Sequence, residues 1–377
     1  MRAAVYRGPN DLRIETVAVP RIGRNELLVQ VAACGVCPTD IKKIQYGTVA
    51  PPRIFGHETA GTVVKVGSGA KVKGFRIGDR VALHHHVPCM DCHFCRHHAF
   101  AQCAQYKCTG ITSGFEPAGG GFAEYVRVMP FVLPGVVKIP AKNTFEEGAM
   151  LEPVNTVLKA VKRLALLPGD NVLVAGQGPI GLMFTKLLQL RGMNVLATDL
   201  LESRLRLARK FGARWAELVG SPSPKTRRPA HKNKSLNSEQ RVLDAAVLAV
   251  PSDAALEQAF QRIRGAGQIL LFAHTKRLGV GGQKSEGGSQ KVEAGSQQPV
   301  AGLFPMDLSR VCVDEKDLLG SYSADFTLQR EVARIVFSRQ LDVRGLITHR
   351  FPLTKTSEAV GLASHPTPES LKIIVCP

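Results

Sequence analysis

The sequence predicts an α/β protein of two units, a β-rich first unit and a doubly wound parallel sheet with helices. Two observations carry this. Residues 1–140 are rich in Val, Gly and Pro, with short alternating stretches such as ELLVQVAAC (26–34) and AGTVVKVGSG (60–69). That is the pattern of strands separated by turns. Residues 171–199, NVLVAGQGPIGLMFTKLLQLRGMNVLATD, read strand, glycine turn, helix, strand. This is one βαβ unit, which implies a parallel sheet.

Between the two, Thr144 with Glu147 three residues on predicts a capped helix start. Pro153 should interrupt that helix or begin a new one at its first position. A residue before proline is steered away from helix, so a turn is expected at Glu152, freeing its side chain to point between the units. RVLDAAVLAV (241–250) and GQILLFA (267–273) read as further buried strands with a helix over 253–263 between them. DLLGSYS (317–323) reads as a short apolar strand, and an unpaired edge there invites a second subunit. The tail, from about 324, offers a helix (TLQREVARIVFSRQ), an extended piece (ITHRFP) and a last strand (LKIIV). No internal repeat is present.

At 377 residues the chain can bury two cores. No run of about 18 apolar residues exists, so no membrane span is expected, and MRAAVYRGPNDLRIETV has no apolar signal core. Nine cysteines, several at metal spacing, point to a reducing, cytoplasmic setting. The net charge of +18 raises nucleic acid as a partner. Part of it, however, sits in SPSPKTRRPAHKNKSLNSEQR (221–241), where no aromatics are interleaved to stack on bases. That segment reads as a solvated insertion, and residues 279–300, rich in Gly, Ser and Gln, as a loop.

Cys89, Cys92, Cys95 and Cys103 are separated by two, two and seven residues. Short CxxC steps fold thiolates round one ion, and clustering this tight in a long chain suits zinc better than disulfides. Four cysteines leave no open position, so this zinc would be structural. Cys108 lies just outside the pattern as a spare thiol.

Gly176, Gly178 and Gly181, with Gln177, Pro179 and Ile180 between them, form GxGxxG after an apolar strand and at the start of a helix. Asp199 ends the next strand. Those contexts mark a dinucleotide site. Gly176 allows the turn, Gly178 lets backbone approach the diphosphate, and Gly181 lets helix pack on strand. The diphosphate would sit on the helix N-terminus. Asp199 can accept from both adenosine-ribose hydroxyls and would repel a 2′-phosphate, favouring NAD over NADP. Arg204, five residues on, argues the other way.

Cys34, Cys37, His57, Glu58 and Glu152 are the remaining candidate ligands. By spacing alone this set is only suggestive, and a histidine beside a glutamate, as at His57 and Glu58, is more often a hydrogen-bonded structural pair. His84, His85 and His86 read as strand-end or cleft-lining residues.

GHETAGTVVKVGSGAKVKGFRIGDRV (56–81) resembles the signature of the zinc-containing medium-chain alcohol dehydrogenases. CGVCPTD (34–40), the four-cysteine lobe and the GxGxxG unit follow in that family's order. The similarity covers nearly the whole chain apart from 221–240 and 279–300. LEPVNT (151–156) and LLGSYS (318–323) look most like the sorbitol and threonine dehydrogenase branches. The resemblance implies a chaperonin-10-like β-barrel catalytic domain over 1–152 with the lobe 89–103. It also implies a Rossmann NAD-binding domain over 153–323 and a return to the catalytic domain over 324–377. It implies that Cys37 and His57 hold a catalytic zinc, with Glu152 third and Glu58 a fourth, exchangeable ligand. Cys34 would be structural or merely nearby. It further implies that Thr39 is the first proton-relay group. Lys42 stands where many relatives carry the outer relay histidine, and Pro38 where they have glycine, arginine or histidine.

The expected activity is hydride transfer between NAD and a polyol, secondary alcohol or amino alcohol, with two zinc ions per chain in a homodimer or homotetramer. A zinc-free quinone or enoyl reductase on the same fold would lack the lobe and the GHE ligands, and this chain has both. A basic nucleic-acid-binding protein on a dehydrogenase fold is the alternative of another class.

Overall fold

The computed structural model describes residues 1–84, 87–104, 106, 119–220, 242–273 and 307–377. The insertion 221–240, the loop 279–300, Cys108, His85 and His86 lie outside the described residues.

The strand Leu27–Gly35 is the axis of a seven-stranded sheet. Glu58–Val66 pairs antiparallel along one edge, and Arg80–Leu83 and Val137–Lys138 continue from it. The other edge is shared. Tyr125–Val128 pairs near residue 27, and the C-terminal strand Lys372–Cys376 pairs at Cys34 and Gly35, with Ile347–Pro352 parallel beyond it. A three-stranded sheet, ordered Asp11–Thr16, Arg2–Gly8, Arg53–Ile54, closes over this one and touches it through a bridge from Ala3 to Ala123. Tyr6, Phe55 and Phe122 are fully buried between them. The result is the β-rich unit that alternating apolar positions predict, in the barrel-like form that the resemblance implies.

The second sheet has six strands, all parallel, in the order Trp215–Leu218, Asn194–Asp199, Asn171–Ala175, Leu243–Leu248, Ile263–Leu271, Asp317–Gly320. The first strand in the chain lies in the middle and the order runs outward both ways, which is the doubly wound arrangement. Val172 and Val174 enter one apolar cluster, and Leu173 and Ala175 the other. Burial on both faces explains why these strands read as continuous apolar runs. The strands of 241–250 and 267–273 are observed as Leu243–Leu248 and Ile263–Leu271, with the helix Asp253–Arg262 between.

Thr144 caps the helix Phe145–Ala149 with a reciprocal capping box to Glu147. The expected turn at Glu152 is corrected by the structure: the helix Leu151–Val161 contains both Glu152 and Pro153. Pro153 is its third residue, where an N–H would have no intrahelical partner, so proline costs nothing there. The break falls earlier, at Met150. Asn155 of this helix donates to the Asp325 carbonyl and to Gln329 Oε1, both at 2.9 Å, and accepts from the Asp325 N–H. It thereby ties the return segment to the helix.

The lobe 89–103 docks against the same segment. Tyr106 Oη lies 2.6 Å from Ser323 Oγ and donates to the Ala324 carbonyl at 3.1 Å. Phe100 meets Phe326 edge-on, with ring centroids 5.6 Å apart. The lobe therefore braces the chain just after the edge strand Asp317–Gly320.

Candidate active site

Cys37 is the N-cap of the helix Pro38–Tyr46, and Pro38 fills its first position, where a fixed φ and a missing N–H are both suited. That accounts for a proline beside the candidate ligand. His57 and Glu58 enter from the start of the strand Glu58–Val66, whose first residue pairs with Gly35. The ligand atoms of Cys37, His57 and Glu58 lie within 4.8 Å of one another. Glu58 is buried, and His57 is only 4% exposed.

Asp40, fully buried on the first turn of the same helix, faces His57 Nδ1 at 3.1 Å from its Oδ1. A carboxylate behind a histidine fixes its ring and leaves the other nitrogen for a metal. Burial opposes protonation of His57, yet Asp40 and Cys37 hold it well above its usual value. A site that attracts a proton so strongly between a thiol and two carboxylates fits a cation, and the donor set of sulfur, nitrogen and oxygen suits zinc.

Glu152 is buried beside this group but outside it. Its carboxyl is pushed up to about 7, chiefly by burial, with Glu58 adding and His57 and Lys372 opposing. Cys37, His57 and Glu58 thus form the converged group among the described residues, and Glu152, on the first turn of the helix Leu151–Val161, lies beside it.

Thr39 Oγ1 lies 3.5 Å from Cys37 Sγ, half-buried at the edge of the group. Cys34 is fully buried, 3.5 Å from Thr59 Oγ1, and takes no part in the cluster. His84 is buried at the end of the strand Arg80–Leu83, with its N–H donated to the Gly135 carbonyl. Lys42 rides on the helix Pro38–Tyr46.

The four lobe sulfurs form the second group. Cys89 lies 3.8 Å from Cys95 and 3.7 Å from Cys103, and Cys92 lies 3.5 Å from Cys95. Zinc–sulfur bonds of about 2.3 Å put tetrahedral sulfurs about 3.8 Å apart, so this cradle fits zinc. All four are free thiols. Backbone N–H groups of Asp91 and Cys92 push Cys89 down to about 6, favouring the thiolate a metal requires.

At the glycine turn, Gly176 has φ +87° and a Cβ there would meet Val250 at 2.3 Å. A Cβ on Gly181 would meet the Gly176 carbonyl oxygen at 1.8 Å, whereas one on Gly178 would meet nothing within 4 Å. Gly178 thus faces open space at the start of the helix Pro179–Leu190, where Pro179 and Ile180 form the first turn. Asp199 accepts from the Gln177 and Leu201 N–H groups at 2.6 and 2.9 Å. Arg204 is buried, and its Nη2 donates to the carbonyls of Thr367 and Ser370 at 3.3 and 2.5 Å.

Asp40 and Lys372 escaped the sequence reading. Asp40 stands three residues after Cys37, one helical turn, and that spacing was a usable signal. A single lysine before an apolar strand carries no such signal.

Known proteins resemble this chain along its length. The alcohol dehydrogenase GroES-like domain family matches residues 23–141. Sorbitol dehydrogenase of Bombyx mori is 30% identical, over 99% of this chain and 97% of that one. The chain belongs to the zinc-containing medium-chain alcohol dehydrogenase family. The crystal structure of 2R,3R-butanediol dehydrogenase from Bacillus subtilis superposes with TM-score 0.76 at 23% identity, over 100% of this chain and 99% of that one. An alcohol dehydrogenase from E. coli CFT073 complexed with NADH superposes with TM-score 0.79 at 22% identity, over the same shares. As a member of this family the protein is an NAD-dependent alcohol dehydrogenase that uses zinc. No described helix is long and apolar enough to cross a membrane.

The lobe's docking yields a prediction. Cys95→Ser should remove the lobe metal and lower the unfolding midpoint by several degrees, each 1 kcal/mol being worth about 2–4 °C in domains of 150–250 residues. Thermal unfolding with zinc quantified on the same sample checks this. An unchanged midpoint would refute it.

Proposed function

We propose that this dehydrogenase oxidises a polyol or a related secondary or amino alcohol with NAD, at a zinc held by Cys37, His57 and Glu58. The observation that carries the reading is the convergence of those three side chains, with Asp40 behind the histidine. Bound there, zinc lowers the pKa of an alcohol at its open position. A carboxylate in place of a second thiolate leaves the metal harder and more positive. That suits a substrate offering two oxygens, or an oxygen and an amine. The sorbitol and butanediol dehydrogenases that resemble the chain act, by their names, on such compounds. Thr39, whose hydroxyl lies 3.5 Å from Cys37 Sγ, would accept the alcohol proton and pass it outward. Glu152, buried beside the cluster with its carboxyl raised, is a second group able to hold a proton there.

The N-terminus of the helix Pro179–Leu190, with open space at Gly178, would hold the cofactor diphosphate. Asp199 is anchored by two backbone N–H groups and presents its remaining lone pairs to the adenosine ribose. The carbonyls of Thr367 and Ser370 hold one nitrogen of Arg204, which weakens its case as a partner for a 2′-phosphate.

A second zinc, in the lobe, makes two per chain. Residues 1–152 and 324–377 form the catalytic domain and 153–323 the cofactor domain. The setting is cytoplasmic. The protein pairs with a second copy through the strand Asp317–Gly320, which has a described neighbour on one side only and leaves Leu318 and Tyr322 exposed.

A screen of polyols, simple alcohols and threonine with NAD, read by absorbance of the reduced nicotinamide, tests the reading. A polyol is expected to be the best substrate, and zinc-replete protein that oxidises none of the panel would refute it. In Asp199→Gly, the preference for NAD over NADP should narrow by about tenfold, the worth of ~1.4 kcal/mol. Light scattering at micromolar concentration should show a dimer or tetramer, and monomer alone would exclude the edge pairing.

A further inference from the structure

Lys372 is a buried cation that the reaction above does not use. It is 5% exposed at the head of the strand Lys372–Cys376. Its Nζ donates to Glu58 Oε1 at 2.6 Å and to the Val36 carbonyl at 3.0 Å, and it also contacts Glu58 Oε2. It is the one described side chain that donates to Glu58.

The backbone makes room for this pair. Gly35 lies between the two strands that supply it, paired with Glu58 on one side and with Ile374 on the other. A Cβ on Gly35 would lie 1.8 Å from Glu58 Oε2 and 2.9 Å from Lys372 Cε. Any other residue would push the carboxylate and the ammonium out of place.

We propose that Lys372 is the positioning residue for Glu58, fixing the carboxylate's orientation and offsetting its charge where it meets the metal. The proposal rests on the metal site of Cys37, His57 and Glu58. Two anionic ligands, a thiolate and a carboxylate, would cancel the charge of a divalent ion. The adjacent ammonium offsets the charge of one of those ligands. It also satisfies a buried carboxylate that would otherwise be held in one direction by nothing but the metal, and an unpaired buried charge is costly. Outer partners of this kind set ligand geometry and metal affinity.

The test uses the full-length protein with cobalt(II) at the catalytic site, in wild type, Lys372→Met, Lys372→Gln and Lys372→Arg. The cobalt spectrum reports ligand number and geometry, and transfer of metal to a chelator reports retention. Lys372→Met should shift the cobalt bands and speed release of the catalytic metal by about ten- to a hundredfold. The lobe metal should be retained. Lys372→Gln keeps a donor for the Val36 carbonyl and so guards against a folding failure, and it should give the same shift. Lys372→Arg, which keeps the charge, should recover part of the wild-type spectrum. Wild-type spectra and release rates in both the Met and the Gln variants would overturn the proposal. A wild type whose cobalt spectrum lacks thiolate absorption dependent on Cys37 would overturn the metal site itself, and the proposal with it.

Discussion

The pairing of Gly35 with Glu58 is the constraint on which the active site depends. It fixes where the strand Leu27–Gly35 ends, and so where Cys37 begins the next helix. It sets Glu58 opposite a residue with no side chain. On the other edge of the same strand, Ile374 pairs with Gly35 and delivers Lys372 from the far end of the chain. A slip of one residue in either ladder would send the functional side chains to the opposite face of the sheet. The rest of the barrel serves to hold that register: Leu27, Val29 and Val31 are buried along the same strand.

Around this point the protein gathers more charge than an apolar unit ordinarily tolerates. Asp40, Glu58, Glu152, His57 and Lys372 are all buried together. Carboxylates outnumber their protein cations, and burial lifts the proton affinity of Glu152 accordingly. Such a group is poorly balanced on its own, and a divalent ion is the charge that balances it. The lobe solves a similar problem differently. Its four sulfurs close on themselves, and the surrounding chain is spent on docking, through Tyr106 and Phe100, onto the segment 323–326.

Much of this was legible in the sequence because local chemistry and tertiary role coincide there. Gly176 and Gly181 of the GxGxxG turn each meet a separate steric demand, and the CxxC steps by themselves bring sulfurs together. The capping box of Thr144 and Glu147 is likewise local. What failed was local reasoning overridden by context. Pro153 was expected to expel Glu152 from helix, but a proline in a first turn breaks no hydrogen bond, so the helix simply begins before it. Arg204 sits at ribose-binding distance in sequence, yet its guanidinium turns to carbonyls 163 and 166 residues away. Lys372 was invisible for the same reason, being brought to Glu58 by a pairing that spans 314 residues.

The central claim is that Glu58, and not Glu152, completes the metal site. Metal quantification on purified Glu58→Ala and Glu152→Ala tests it most directly. The account predicts that Glu58→Ala loses the catalytic zinc and keeps that of the lobe, while Glu152→Ala keeps both. Loss of the catalytic zinc from Glu152→Ala, with both metals retained in Glu58→Ala, would contradict it.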